Sequence, residues 1–319
     1  MMRPVRPAGP TAQRGVALIT AVLIVALATM LAVGVVYRGV LDQRRTGTLL
    51  SLDQAFEIAL GAEAWAADFL QRDLQQSQGD NLAETWAQPL PPLPVDGGGT
   101  VSGRLVDLQG RFNLNNLVFG DGTPNPDAIA QFSRILVALD LEPTWASTMA
   151  DWIDLDTQPG FPDGAEDNVY LGQTPPYLTA NMPITRASEI MSLPGFGPDR
   201  WARLKPYVTA LPVGTTLNVC TAPGIVLDAL SENLREFGLN PDDLAKRRAN
   251  GCFPTLNDLR GALGDEAYNK VKDGLSESSS YFGATVWVTI GTTDFTLYSL
   301  LVRGQGGLVR PQLRSFGTE

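Results

Sequence analysis

The chain has 319 residues, enough for more than one domain with its own core. It carries 34 acidic and 24 basic side chains, a net charge of −10, so its bulk field repels nucleic acid and anionic lipid. It contains no histidine, which removes histidine acid–base chemistry, Ser-His-Asp triads and most zinc sites.

Val16 to Val36 is a run of 21 residues without a charge. As a helix it is roughly 31 Å long, about the thickness of a bilayer's hydrocarbon core. Arg3, Arg6 and Arg14 precede it and keep that end in the cytoplasm by the positive-inside rule. Helical spacing continues through Leu49, Leu52, Phe56, Leu60, Ala67, Leu70 and Leu74, with no proline between Pro10 and Pro89. One long helix is predicted over 16–78, membrane-embedded over 16–36 and packed on a soluble domain in its second half. A plain signal anchor is one reading of the run. A cleaved secretory signal is another, but the run is long for one and shows no A-x-A exit. Gln13-Arg14-Gly15-Val16-Ala17-Leu18-Ile19 resembles a type IV prepilin leader. That resemblance implies loss of residues 1–15 by cleavage after Gly15 by a prepilin peptidase, and N-methylation of Val16. Most pilins carry Glu at the fifth mature position, where it is thought to pair with a neighbour's N-terminal amine; here that position is Thr20. A subunit without that charge suits the end of a fibre, since a buried carboxylate survives in the bilayer only if paired.

Residues 80–99 hold Pro89, Pro91, Pro92, Pro94 and the glycines 97–99, and read as a linker. Thr100 to Asp107 alternates as a strand, and Gly110-Arg111-Phe112-Asn113-Leu114-Asn115 as a short strand or ordered turn. Helical patterns then run through Pro126–Leu141, Thr144–Trp152, Thr185–Met191, Pro198–Val208, Pro223–Phe237, Pro241–Ala249, Thr255–Leu263 and Asp265–Leu275. Strands return at Gly283–Gly291, Asp294–Gly304 and Leu308–Ser315, the first two joined by a hairpin loop over 291–294. An isolated strand pair is marginal in water. The economical arrangement is α+β: a long N-terminal helix packed on one antiparallel sheet, with a large all-α domain inserted in the sheet. The sheet would come from 79–115 and 281–319, and the insertion from 116–280.

The stretch from Asp151 to Asn168 carries six carboxylates, Asp151, Asp154, Asp156, Asp163, Glu166 and Asp167, and no cation follows until Arg186. Like charges so crowded repel unless neutralised. Hard oxygen donors without His or Cys point to Ca²⁺ rather than zinc. The spacing is not an EF-hand: Gln158 and Pro159 stand at its fifth and sixth positions and Ala165 at its twelfth. The alternative is a solvated acidic loop, against which Trp152, Ile153, Phe161 and Tyr170 argue. Leu193-Pro194-Gly195-Phe196-Gly197-Pro198 looks like a helix-hairpin-helix turn, which could offer N–H groups to phosphate with Arg200, Arg203 and Lys205 alongside. In an acidic chain the packing role is favoured and no nucleic-acid partner is expected. Cys220 and Cys252 lie beyond the membrane run, where a disulfide is permitted if that side is the periplasm; two buried thiols are the alternative.

Together these features resemble the minor pseudopilin K family of the type II secretion system (general secretion pathway protein K). The resembling parts are the leader lacking a fifth-position Glu, Gly110 to Asn115, Asp151-Trp-Ile-Asp154 with Gly164-Ala-Glu-Asp167, and Leu217-Asn218-Val219 before Thr221-Ala222-Pro223. Cys220 stands where the family carries a second Asn, which supports a lineage-specific disulfide. The resemblance implies a helical domain inserted in a pilin sheet, calcium binding, and a fibre-tip complex with the minor pseudopilins I and J, and with H. It further implies a single-pass inner-membrane protein of a Gram-negative bacterium, with its C-terminal domain in the periplasm. There it would cap the pseudopilus and help initiate its assembly for export across the outer membrane, within reach of the secretin or exported substrates. It implies no enzymatic activity. The competing readings are a DNA-uptake pilin and a membrane-anchored periplasmic enzyme.

Overall fold

The computed structural model describes residues 16–96 and 98–317; the expected leader, with Gly15, lies outside them. Helix α1 runs from Val16 to Gln76, 61 residues without a break. At 1.5 Å per residue it is about 90 Å long. Among the described residues it is the one helix long and apolar enough to cross a membrane. Its first forty residues are almost wholly exposed, and its buried face begins at Ala55.

That face is Ala55, Ala59, Glu63, Ala67 and Leu70, one residue per turn. It shares Ala67 and Leu70 with the face the sequence spacing suggests; Leu52, Phe56, Leu60 and Leu74 are half-buried beside it, and only Leu49 of that set is exposed. Small side chains let the helix lie close on the sheet. Ala55 and Ala59 pack with Val101, Val286, Val288 and Leu297, and Ala67 and Leu70 with Phe282, Ala284, Leu301 and Trp86. Glu63 sits between these two apolar groups. Its carboxylate takes a bidentate pair from Arg314, 2.9 Å at Nε and 2.7 Å at Nη2, and accepts from the Ser299 hydroxyl. A buried carboxylate is tolerable only with such a full set of donors.

The sheet has five antiparallel strands. They are β1 Leu90–Val95, β2 Gly99–Asp107, β7 Tyr281–Ile290, β8 Thr293–Arg303 and β9 Val309–Phe316, in the order β1-β2-β7-β8-β9. The short strands β3 Phe112–Asn113, β4 Val208–Thr209, β5 Leu217–Asn218 and β6 Leu275–Ser276 belong to the helical region. β1 corrects the linker expected over 80–99. Pro91, Pro92 and Pro94 are compatible with a strand there because β1 is an edge, pairing only with β2, and its register shifts between Leu90 and Leu93. The β7–β8 turn is also tighter than expected, because both strands extend to leave only Gly291 and Thr292 between them, with Gly291 at φ 58°.

β2 ends at Asp107, opposite Phe282 of β7, and the Leu108 N–H donates to the Tyr281 carbonyl at 3.0 Å. Everything between leaves and re-enters the sheet at one place. That region holds α2 Pro126–Ala138, α3 Trp145–Ile153, α4 Asp167–Tyr170, α5 Gly197–Leu204, α6 Gly224–Asp228, α7 Pro241–Arg248, α8 Leu256–Leu263 and α9 Asp265–Val271. Two-residue parallel pairs, β3 Phe112–Asn113 with β4 Val208–Thr209 and β5 Leu217–Asn218 with β6 Leu275–Ser276, stitch it together. Several helices are shorter than their sequence patterns. The Pro223–Phe237 pattern yields only α6, because Asp228 accepts from the N–H groups of Glu236, Phe237 and Gly238 and folds the rest back as a loop. Thr185–Met191 becomes a 3-10 turn over Ala187–Ser192, and the two patterns ending at Val208 and Leu275 close in 3-10 turns over Lys205–Tyr207, which holds Pro206, and Lys272–Gly274.

Asparagines hold this region to itself and to the sheet. Buried Asn115 donates to the Ile184 and Leu211 carbonyls at 2.9 and 2.7 Å and accepts from the Ile184 N–H. Asn218 donates to the Asp80 carbonyl, the Asp107 carboxylate and the Ser279 hydroxyl, each at 2.9 Å. Arg303 adds a pair to Asp80 at 2.9 Å and bonds to the carbonyls of Ser279 and Leu70. One buried polar knot therefore joins the end of α1, the sheet and the helical insertion. Gly110 lies beside it, where a Cβ would come within 2.6 Å of the Thr221 hydroxyl. Cys220 and Cys252 form a disulfide across a sequence separation of 32, with Cα atoms 4.6 Å apart.

Candidate metal centre

The acidic stretch forms the C-terminal end of α3 and the loop that leads into α4. Asp154 caps α3, its N–H donating to the Ala150 carbonyl at 2.9 Å. Trp152 and Ile153 turn into the core, and Trp152 packs with Tyr170 and Tyr177 at 5.0 and 6.3 Å between ring centroids. These aromatic contacts fix the loop's ends and make it a shaped turn rather than a floating acidic run.

Carboxylate oxygens of Asp154, Asp156 and Glu166 lie within 4.8 Å of one another. Asp154 and Glu166 are 1% and 3% exposed, and Asp154 Oδ1 and Glu166 Oε1 have no hydrogen-bond partner. Buried oxygens of this kind carry a desolvation cost that only a donor or a cation offsets. Burial, then the charges of Asp156, Asp151 and Glu166, pushes the Asp154 carboxyl up to about 7. Burial also lifts Glu166 to about 6, against the Thr179 hydroxyl that donates to it at 3.2 Å.

The other three expected ligands sit differently. Asp151 is buried and raised by that burial, but its Oδ2 accepts from the Gly160 N–H at 2.9 Å. Gly164 packs so tightly on that carboxylate that a Cβ would collide with it. Asp167 accepts from the Thr179 hydroxyl and N–H at 2.6 and 3.0 Å, which lowers its pKa. The Asp163 side chain is exposed, and its backbone carbonyl accepts from Thr148. The geometry thus divides six carboxylates into three that converge and three engaged elsewhere or facing solvent.

Two residues carry no signal in the acidic run itself. Thr179 holds both Glu166 and Asp167 in place. Asn181 takes a left-handed backbone, φ 46°, ties its N–H to the Trp152 carbonyl, and keeps a buried Oδ1 without a partner. A threonine and an asparagine more than ten residues beyond the acidic run look like ordinary loop polarity in sequence. The converging donors are all oxygens, two of them buried and unpartnered. They fit a hard cation such as Ca²⁺ and offer nothing to a soft one.

The glycine turn from Leu193 to Pro198 lies against this region, Gly195 and Gly197 having φ of 87° and 72°. Phe196 packs edge-on against Trp145. Arg200 is paired with Glu142 at 2.6 Å and Arg203 with Asp140 at 3.3 Å, so these two cations tie α5 to the loop between α2 and α3.

The family description "Type II secretion system (T2SS), protein K" matches residues 110–213, the sheet exit and the acidic loop. The type II secretion system protein K of Pseudomonas aeruginosa is 35% identical over 318 residues, 96% of this chain and 93% of that protein. The chain belongs to the type II secretion system protein K family. The protein K of Pectobacterium carotovorum is 33% identical over 91% of this chain and 92% of its own length, and that of Klebsiella pneumoniae 40% identical over 62% and 63%. A solved structure, the GspK–GspI–GspJ complex from enterotoxigenic Escherichia coli, superposes with a TM-score of 0.75 at 24% identity, covering 86% of this chain and all of that one. Protein K is a minor pseudopilin of type II secretion, and the pilin-like α+β fold agrees with that neighbour.

Proposed function

We propose that this chain caps the tip of the type II secretion pseudopilus and helps initiate its assembly for protein export across the outer membrane. The observation that carries the reading is where the helical insertion is rooted. Asp80, just past α1, donates its N–H to the Glu277 carbonyl at 2.9 Å, and Asn218 donates to the Asp80 carbonyl. The insertion therefore sits at the end of α1 remote from Val16, about 90 Å along the helix. In a fibre of parallel helices that end faces away from the membrane. A domain-sized body there obstructs the place of a further subunit.

Thr20 supports the same reading. Its uncharged hydroxyl bonds back to the carbonyls of Val16 and Ala17, both at 3.1 Å, and a threonine has no carboxylate to offer a neighbour's N-terminal amine. α1 anchors the chain in the inner membrane over 16–36, after prepilin-peptidase cleavage at Gly15 and methylation of Val16. The minor pseudopilins I and J are its partners, as in the solved complex of its relative, with H below them. The secretin or exported substrates meet the helical domain. Asp154, Asp156 and Glu166 hold Ca²⁺, which stiffens the α3–α4 loop by neutralising it.

The test is reconstitution with the soluble domains of I and J. A complex of equal stoichiometry by native mass spectrometry is expected, and cross-links at regular intervals along assembled fibres would contradict the cap.

A further inference from the structure

The charges of α1 are sorted along its length. Val16 to Val36 holds none. Tyr37 to Leu52 holds Arg38, Arg44 and Arg45 against the single carboxylate of Asp42, and Asp53 to Gln76 holds five carboxylates against Arg72. In a chain of net charge −10, the cationic stretch directly beyond the apolar run is a local reversal of the field. Arg38, Arg44 and Arg45 are exposed, and the face of α1 buried on the sheet begins further on, at Ala55. Among the described residues none of the three forms an ion pair or a side-chain hydrogen bond, whereas Arg72 on the same helix is paired with Asp68 at 2.6 Å.

Distance along the helix decides what meets these cations. Arg38 lies about 3 Å beyond Val36, and Arg44 and Arg45 about 12–14 Å beyond it. The headgroup layer on each side of the hydrocarbon is about 5–8 Å thick. Helical side chains lean toward the N-terminus, here toward the membrane, and an arginine stem adds several ångströms in that direction. All three guanidinium groups therefore reach the layer of lipid phosphates. Tyr37, 65% exposed at the end of the apolar run, carries an amphipathic ring that suits the same layer.

We propose that Arg38, Arg44 and Arg45 form a collar that binds the phosphates of anionic lipid headgroups on the exported face of the membrane and sets the depth of α1. This rests on the reading of 16–36 as the membrane span. Guanidinium groups suit the task because they clamp phosphate in bidentate fashion. A second copy of this chain alongside in register does not replace the lipid, since it brings to this level one carboxylate, Asp42, and three more cations.

The full chain is reconstituted at low density into phosphatidylcholine vesicles. Spin-labelled phosphatidylglycerol and phosphatidylcholine are then compared by the fraction of each immobilised against the protein. A preference of about fivefold for phosphatidylglycerol is expected at an ionic strength of about 0.01 M, shrinking at about 0.15 M. The combined variant Arg38→Gln, Arg44→Gln, Arg45→Gln should bring the two lipids to parity, and the corresponding lysine variant should keep most of the preference. Asp42→Asn should strengthen it, and Arg72→Gln, far along α1, should leave it unchanged. Inorganic phosphate should displace the lipid no better than chloride at equal ionic strength; stronger displacement would assign the site to free phosphate and overturn the collar. An undiminished preference in the triple glutamine variant would overturn it too. If the arginines serve carboxylates of a partner helix instead, the chain alone in the bilayer shows no lipid preference, and the collar is likewise wrong. Failure of the chain to float with the vesicles would remove the span and the collar together, whereas insertion without preference removes the collar alone.

Discussion

Asp154 and Glu166 are carboxylates held where water is scarce and like charges are near. Their folded pKa values, about 7 and about 6, lie above those of the unfolded chain. The folded state therefore keeps protons that the unfolded state has released, and this contribution to stability is lost as pH rises from about 4 through 7. Asp107 and Asp73, both raised to about 6 chiefly by burial, act in the same direction. We expect the melting temperature in chelator to fall across that window. Calcium should remove the part due to Asp154 and Glu166 and leave the part due to Asp107 and Asp73. A calcium effect identical at pH 5 and pH 8 in thermal melts would contradict this. Asp154→Asn should raise the melting temperature in chelator by about 2–4 °C and abolish the rise given by calcium. The acidic run made this site visible in sequence, but not its membership. Asp151 and Asp167 are as acidic as Asp154, yet each accepts donors from Gly160 or Thr179, and those partners are set by the path of the loop.

The connections between elements carry the more severe costs. Arg303 holds Asp80, the Ser279 carbonyl and the Leu70 carbonyl at the root of the insertion, with its side chain 5% exposed. Arg303→Ala would leave Asp80 buried and unpaired, and should destabilise by about 3–5 kcal/mol in urea denaturation. The disulfide closes its loop within the later helices, and Cys220→Ser with Cys252→Ser should lower stability by about 3–4 kcal/mol in the chain-entropy treatment. Gly110→Ala tests a different constraint, because its Cβ would meet the Thr221 hydroxyl and main chain; loss of about 1–3 kcal/mol is expected. At this scale strand alternation and helical spacing found β2, β7, β8, α2, α7 and α8. They missed β1, since three prolines in six residues argue against a strand unless one knows it lies at an edge.

For the whole molecule, the combination of a roughly 90 Å helix and a helical body at its far end dictates how a neighbour can approach. A variant in which 108–280 is replaced by a short turn joins β2 to β7 where they already pair, Asp107 opposite Phe282. If the insertion is what blocks growth, fibres initiated by that variant should incorporate it at internal positions, seen by immunogold labelling along the shaft. Label confined to fibre ends would show that something other than the insertion enforces the tip.

The sequence by itself determined the uncharged helix, the split of one sheet by a helical insertion, the acidic loop and the cysteine pair. Each is a property of composition or of a short period along the chain. Only the tertiary structure decided which three carboxylates converge. It also showed that Asn218 knots the insertion to Asp80 and Asp107. These depend on which donors and charges the folded path brings to each side chain, and partners so distant along the chain leave no local pattern from which to read them.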